Sequence, residues 1–216
     1  MVDGMDLVAD ERGRLITTLE RVGGDAPTLC EGWVTEDLLR HLVVREIYPH
    51  VALSSKIPGK LTAGQRERMA ELESASYEEL LDEFRNGRQK YSPLNLSAVD
   101  KAFNTLEYVI HHEDVRRAQT PALGRVLPEK EQKEIFSSLK ALAQLNFLKA
   151  PAQIVLNAPG VGSITVLASK RHDKTVTITG TPLELAMYAF GRDNCQVVFD
   201  GDEDAIKAVQ SMNRSS

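Results

Sequence analysis

Glu107-Tyr108-Val109-Ile110-His111-His112-Glu113-Asp114 lies inside a helical pattern that runs from about Val99 to Ala118. Phe103, Leu106, Val109 and Ile110 recur there at the spacing of an amphipathic helix. Side chains four apart on a helix share one face, with Cβ atoms roughly 5–6 Å apart. Glu107 and His111 therefore stand together, and Asp114 follows three residues later on the same stripe. A carboxylate and an imidazole so placed can hold one divalent metal ion. An arbitrary Glu–His pair of this kind is more often a hydrogen bond on a helix surface. Two features argue against that here. The face also carries Phe103 and borders Leu106 and Ile110, so it turns inward, where a carboxylate needs a partner. His41, on a second long pattern from about Thr35 to Val51, is flanked by Leu38, Leu42 and Val43 and faces inward too.

His41, Glu107 and His111 make a three-ligand set with open positions, the arrangement of catalytic rather than structural metal sites. Zn²⁺ suits these donors, and Ni²⁺, Mn²⁺ or Fe²⁺ also fit. An open position holds water or a thiolate, whose pKa the metal lowers. Asp37 and Asp114 are placed to orient a ligand imidazole or to hold a substrate. The remaining polar residues read as background. His112 points about 100° from His111, to the edge of the site or to solvent. His50 and His172 read as surface, and His112 to Arg117 as a largely solvated charged face. Arg116 or Arg117 binding an anionic substrate is the alternative. Cys30 reads as a small buried hydrophobe, with a thiol reaching the pocket as the other reading. Trp33 reads as a staple for its loop rather than a pocket wall, and Cys195 as a structural residue at the start of a strand.

Further helices are expected at Asp6–Val22, Thr62–Glu73, Ser76–Lys90 and, with Pro128 at its first position, Glu129–Phe147. Thr35 is the expected cap of the His41 helix, and Pro49 its end or kink. After Ala150 short β-branched runs take over: Gln153–Leu156, Gly162–Leu167, Lys174–Thr179 and Gln196–Phe199. Helices from Pro182 to about Phe190 and from Glu203 to Met212 complete this half. The expected class is α+β: a helical domain over residues 1–150, then a small antiparallel sheet with helices over 151–216.

The 216 residues carry 26 Lys+Arg against 31 Asp+Glu, a net charge of −5. Such a chain, without a basic run, offers no footprint for nucleic acid or anionic membrane. No apolar run approaches the roughly 20 residues of a transmembrane helix. The start shows no signal-peptide pattern, and two distant cysteines form no disulfide framework, so the cytoplasm is expected.

Gly32-Trp33-Val34-Thr35-Glu36-Asp37-Leu38-Leu39-Arg40-His41-Leu42 resembles the Gly-Trp-[Ser/Thr]-x-x-Asp-[Leu/Val]-x-x-His-[Leu/Val] signature of the mycothiol-dependent maleylpyruvate isomerase N-terminal domain, a DinB-like four-helix bundle. Glu107 to Asp114 resembles the same family's Glu-x3-His-x2-Asp element. Val34 stands where the family usually has a capping Ser or Thr. Thr28–Trp33 and His112–Arg117 are similar to a metal-binding subfamily of mycothiol-producing bacteria. Gly180–Leu185 and Phe190–Arg192 resemble the sterol-carrier-like C-terminal domain attached to these bundles. The resemblance implies a divalent metal, usually zinc, on His41, Glu107 and His111, with Arg192 matching a substrate-binding arginine. It implies a thiol-dependent isomerase or S-transferase in which the metal activates mycothiol or a related small thiol to attack an electrophilic substrate. Asp114 would position thiol or ligand. A non-catalytic metal or thiol sensor, or a small-ligand carrier, is the alternative. Bundles of this type often form homodimers, although no apolar patch in the sequence can be assigned to an interface.

Overall fold

A computed structural model describes residues 7–47, 62–87, 98–122, 125–166 and 172–214. The helices are α1 (Leu7–Val22), α2 (Thr35–Ile47), α3 (Ala63–Ser74), α4 (Tyr77–Gly87), α5 (Ala98–Ala118), α6 (Glu129–Asn146), α7 (Pro182–Ala189) and α8 (Glu203–Gln210). The strands are β1 (Gln153–Ala158), β2 (Gly162–Thr165), β3 (Thr175–Thr179) and β4 (Val198–Gly201). Among the described residues every strand follows Ala150, so the class is α+β. None of these helices is long and apolar enough to cross a membrane. The expected extensions of two helices, to Val51 and to Lys90, lie outside the described residues, as does His50.

The chain forms two compact units. The first takes in the described parts of Arg12–Asn95 and His111–Gly124. It is helical: α2 packs on α4 and α3, and Leu15, Leu19, Leu38, Leu39, Leu42, Leu80, Phe84 and Val115 fill its interior. Burying those side chains supplies its main stabilisation, at roughly 25 cal/mol per Å² of apolar surface. A part-buried ion pair borders this core. Arg12 reaches Glu46 with two bonds of 2.6 and 2.9 Å, donates to the Phe84 carbonyl and lies over the Phe84 ring.

The second unit takes in the described parts of Met1–Glu11, Leu96–Ile110 and Arg125–Ser216. Its sheet runs in the order β2-β1-β3-β4. β1 alternates half-buried and buried positions, so Ile154, Leu156 and Ala158 share its inner face. The sheet is mixed, not purely antiparallel: β1 pairs parallel with β3, in register Ile154↔Val176 and Leu156↔Ile178. The reason is topological. β3 runs antiparallel to β2, the strand before it, but takes the far edge of β1, which makes it parallel to β1. Thr181 caps α7, which starts with Pro182 and is buried at every position except Glu184. β4 begins two residues later than the sequence pattern indicates and ends at Gly201. Gly201 has φ +143°, and a Cβ there would stand 2.4 Å from the Thr175 carbonyl oxygen, so only glycine fits. Pro128 is the cap before α6 rather than its first residue.

Candidate metal centre

The stretch between α1 and α2 is held by its own backbone. Gly23, at φ +79°, ends α1 with its N–H on the Leu19 carbonyl. Pro27 and Val34 form an isolated antiparallel bridge. Thr28 Oγ1 donates to the Trp33 carbonyl at 2.8 Å and accepts the Cys30 N–H at 3.1 Å. The Leu29 N–H donates to the Asp114 carbonyl at 3.0 Å, tying the loop to α5. Cys30 and Trp33 are thereby carried to fixed places.

The cap of α2 differs from expectation. Thr35 is its first helical residue, and its hydroxyl donates to the Gly23 carbonyl instead of capping. Asp37 accepts the Val34 N–H at 3.1 Å. That is the carboxylate half of a capping box, without the hydroxyl half that Val34 lacks.

One turn along α2, His41 lies 5.3 Å, centroid to centroid, from the Trp33 ring and from the His111 ring, with the two imidazoles edge to face. Glu107 stands one turn before His111 on the continuous helix α5. One ligand atom from each of His41, Glu107 and His111 lies within 4.8 Å of the other two. His111 is buried, while His41 and Glu107 are half-buried, so the carboxylate is less enclosed than its apolar neighbours imply. Two imidazoles and a carboxylate are a donor set that suits a borderline divalent cation.

Asp114 is fully buried, and its Oδ2 lies 2.9 Å from His111 Nδ1. With Nδ1–H donated to that carboxylate, His111 offers Nε2 to a metal, the usual way a carboxylate fixes the tautomer of a ligand imidazole. The same Oδ2 accepts the Cys30 S–H at 3.3 Å, and Cys30 Sγ is 4.0 Å from His111 Nδ1. Cys30 is half-buried, and its thiol is directed at this cluster rather than into an apolar core. Cys30, His111 and Asp114 form a second group able to hold a metal ion.

Trp33 is 37% exposed and walls an open pocket of about 300 Å³. Asp37, Arg40, His41, Val44, Met69, Leu72 and Glu73 complete the lining. Arg40 is held in place by Glu36 at 2.5 Å, Asp37 at 3.6 Å and the Leu72 carbonyl at 3.1 Å. The staple reading of Trp33 therefore gives way to the wall reading, because its ring lies beside His41. The contributions of Met69, Leu72 and Glu73 left no mark in the sequence, since α3 carries no apolar stripe that could have marked this face.

Other polar residues are more enclosed than expected. His112 is buried, with Nε2 2.8 Å from Thr18 Oγ1. Glu113 is buried as well, bonded by Arg117 at 2.6 Å and approached by Arg116 at 3.7 Å. Partners on α1 and one turn on within α5 make that burial affordable in free energy. His172 is half-buried, with Nε2 shielded from solvent. Cys195 precedes β4 in a turn and donates to the Arg192 carbonyl at 3.3 Å. Arg192, in the sheet unit just after α7, donates to the Phe190 carbonyl at 2.6 Å.

No protein-family model matches the chain, and no curated protein matches it. Among solved structures, the chain resembles the crystal structure of the mycothiol-dependent maleylpyruvate isomerase, with a TM-score of 0.62, 18% identity and 90% of each chain covered. A mutant of that isomerase with one histidine replaced by alanine matches with a TM-score of 0.60, 17% identity and the same coverage. What is shared at this identity is the fold.

Proposed function

We propose that the chain is a thiol-dependent enzyme, an isomerase or S-transferase, whose His41, Glu107 and His111 hold a divalent cation, Zn²⁺ by donor preference. The convergence of those three donors, with Asp114 behind His111, is the observation that carries this reading. The solved neighbour's dependence on mycothiol supports a small thiol as cosubstrate. Bound there, the cation supplies Lewis acidity that makes a thiol a nucleophile at neutral pH.

The chain's own groups have separate tasks. Asp114 keeps the His111 proton on Nδ1. Trp33 and Leu72 give the pocket an apolar lining beside His41, and Arg40 offers a positive charge already fixed by its neighbours. Arg192 serves as a substrate-binding residue. We further propose the division near Ala150 into a DinB-like bundle and a sterol-carrier-like domain.

Elemental analysis of the purified protein tests the metal. Stoichiometric zinc in the native protein, lost on His41→Ala with folding retained, is the expected result. A metal-free native protein, or retention unaffected by His41→Ala, overturns the reading. Turnover of an activated electrophile that requires both mycothiol and His41 tests the activity.

A further inference from the structure

We propose a second metal site on the other side of His111, formed by Cys30 Sγ, His111 Nδ1 and Asp114 Oδ2, that takes a thiophilic divalent cation such as Zn²⁺ or Cd²⁺. The three atoms are mutual neighbours: 2.9 Å from Nδ1 to Oδ2, 3.3 Å from Sγ to Oδ2 and 4.0 Å from Sγ to Nδ1. Tetrahedral zinc, with bonds of about 2.3 Å to sulfur, 2.05 Å to nitrogen and 2.0 Å to oxygen, sets these edges at about 3.3, 3.5 and 3.6 Å respectively. Each observed edge lies within about half an ångström of that triangle. The nitrogen–oxygen edge is the short one because a proton now occupies the place a cation would take.

The donors need little rearrangement. Asp114 and His111 are buried on α5, and the Cys30 loop is pinned by the bond from Leu29 to the Asp114 carbonyl and by the Thr28 hydroxyl. Cys30 is half-buried, which leaves water room to complete the coordination. Thiolate, imidazole and carboxylate together favour zinc-like ions over Mg²⁺ or Ca²⁺. His111 thus lends one nitrogen to each donor set. A cation on Nδ1 displaces the proton that Asp114 otherwise holds, to Nε2 when the His41 side is empty or to solvent when His111 bridges both ions as an imidazolate, so filling the Cys30 side withdraws Asp114 from orienting His111. The two sites are coupled through a single ring.

The test uses the full chain, stripped by a chelator, in a Cys195→Ser form so that Cys30 is the only thiol. Cd²⁺ or Co²⁺ is added while the near-ultraviolet thiolate-to-metal charge-transfer band is followed. The expected band saturates at one thiolate-bound ion per chain, persists when His41→Ala is added and is lost on Cys30→Ser. Absence of the band overturns the proposal. So does its loss with His41→Ala, which would place the thiol in the His41 set. A second measurement does not depend on the folding of Cys30→Ser: Cd²⁺ should slow alkylation of Cys30 in the Cys195→Ser form by at least tenfold. An unchanged alkylation rate also overturns the site. Failure of the His41–Glu107–His111 reading is recorded separately, as total metal content insensitive to His41→Ala with the band intact.

Discussion

Replacing Asp114 by Asn separates orientation from packing. The substitution keeps the size and planarity of a side chain that is fully buried, so it opens no cavity. It removes the charge that Nδ1–H of His111 meets at 2.9 Å. Loss of a carboxylate behind a ligand imidazole costs about 10- to 100-fold in metal affinity, which corresponds to about 1.4–2.8 kcal/mol. An amide oxygen can still accept the proton, so the lower end, about tenfold, is expected for Asn and the upper end for Ala. The assay is competition for Zn²⁺ against a chromogenic chelator. It is run in a Cys30→Ser background so that only the His41–Glu107–His111 set is read. Thermal unfolding of the metal-free protein is measured in parallel. Asn should leave that midpoint within a few degrees of the parent, because an uncharged amide costs less to bury than a carboxylate. Zinc affinity unchanged in Asp114→Ala would refute the orienting role. A fall in affinity that merely follows lost folding would refute it too.

Trp33 is the sole tryptophan and its ring lies 5.3 Å from His41, so its emission should change in proportion to bound Zn²⁺ and stop responding in His41→Ala. Gly201→Ala forces a Cβ into the Thr175 carbonyl at a positive φ and should cost at least about 1–3 kcal/mol, read as a lowered unfolding temperature. Glu46→Gln removes the negative charge that Arg12 meets at 2.6 Å and should cost about 1–3 kcal/mol in denaturant unfolding. Burial pushes the Tyr188 phenol up to about 12, while an unfolded phenol ionises near 10.0. A raised folded pKa gives stability that is complete below pH 10 and lost as pH climbs through 12. Tyr188→Phe should therefore flatten the alkaline fall in unfolding temperature, and an unchanged slope between pH 10 and 12 would count against the assignment.

Local pattern carried much of this molecule. The period of Leu106, Val109 and Ile110 located α5, and the four-residue step from Glu107 to His111 needed only helix geometry. His41 stood out because its neighbours Leu38, Leu42 and Val43 are apolar. Patterns that depend on remote partners stayed hidden. The parallel pairing of β1 with β3 is a choice of sheet edge, which alternation along a strand does not encode. His112 and Glu113 look solvated in sequence because each is polar. Thr18 lies 94 residues from His112 and nothing near either residue announces the pairing. Trp33 and Cys30 were ambiguous because a loop, not a helix face, aims them. The bond from Leu29 to the Asp114 carbonyl spans a separation that no periodicity reports.

The carboxylate of Asp114 shows what this arrangement costs the fold. A buried charge loses several kcal/mol of hydration, which the bonds from His111 and from the weakly donating Cys30 thiol help to offset. A core position chosen for stability alone would carry an apolar side chain, as Ile110 and Val115 do nearby. The charge is coherent only if its effect on His111 is worth more than the stability it removes, and that is where local rules are expected to yield to function. Cys30 sharpens the point, because its thiol competes with His111 for the same oxygen, Oδ2. A cation bound by the thiol, Oδ2 and Nδ1 together replaces the bond from the imidazole to the carboxylate. The state of Cys30 and the orientation of His111 are therefore one equilibrium, set on a single carboxylate oxygen.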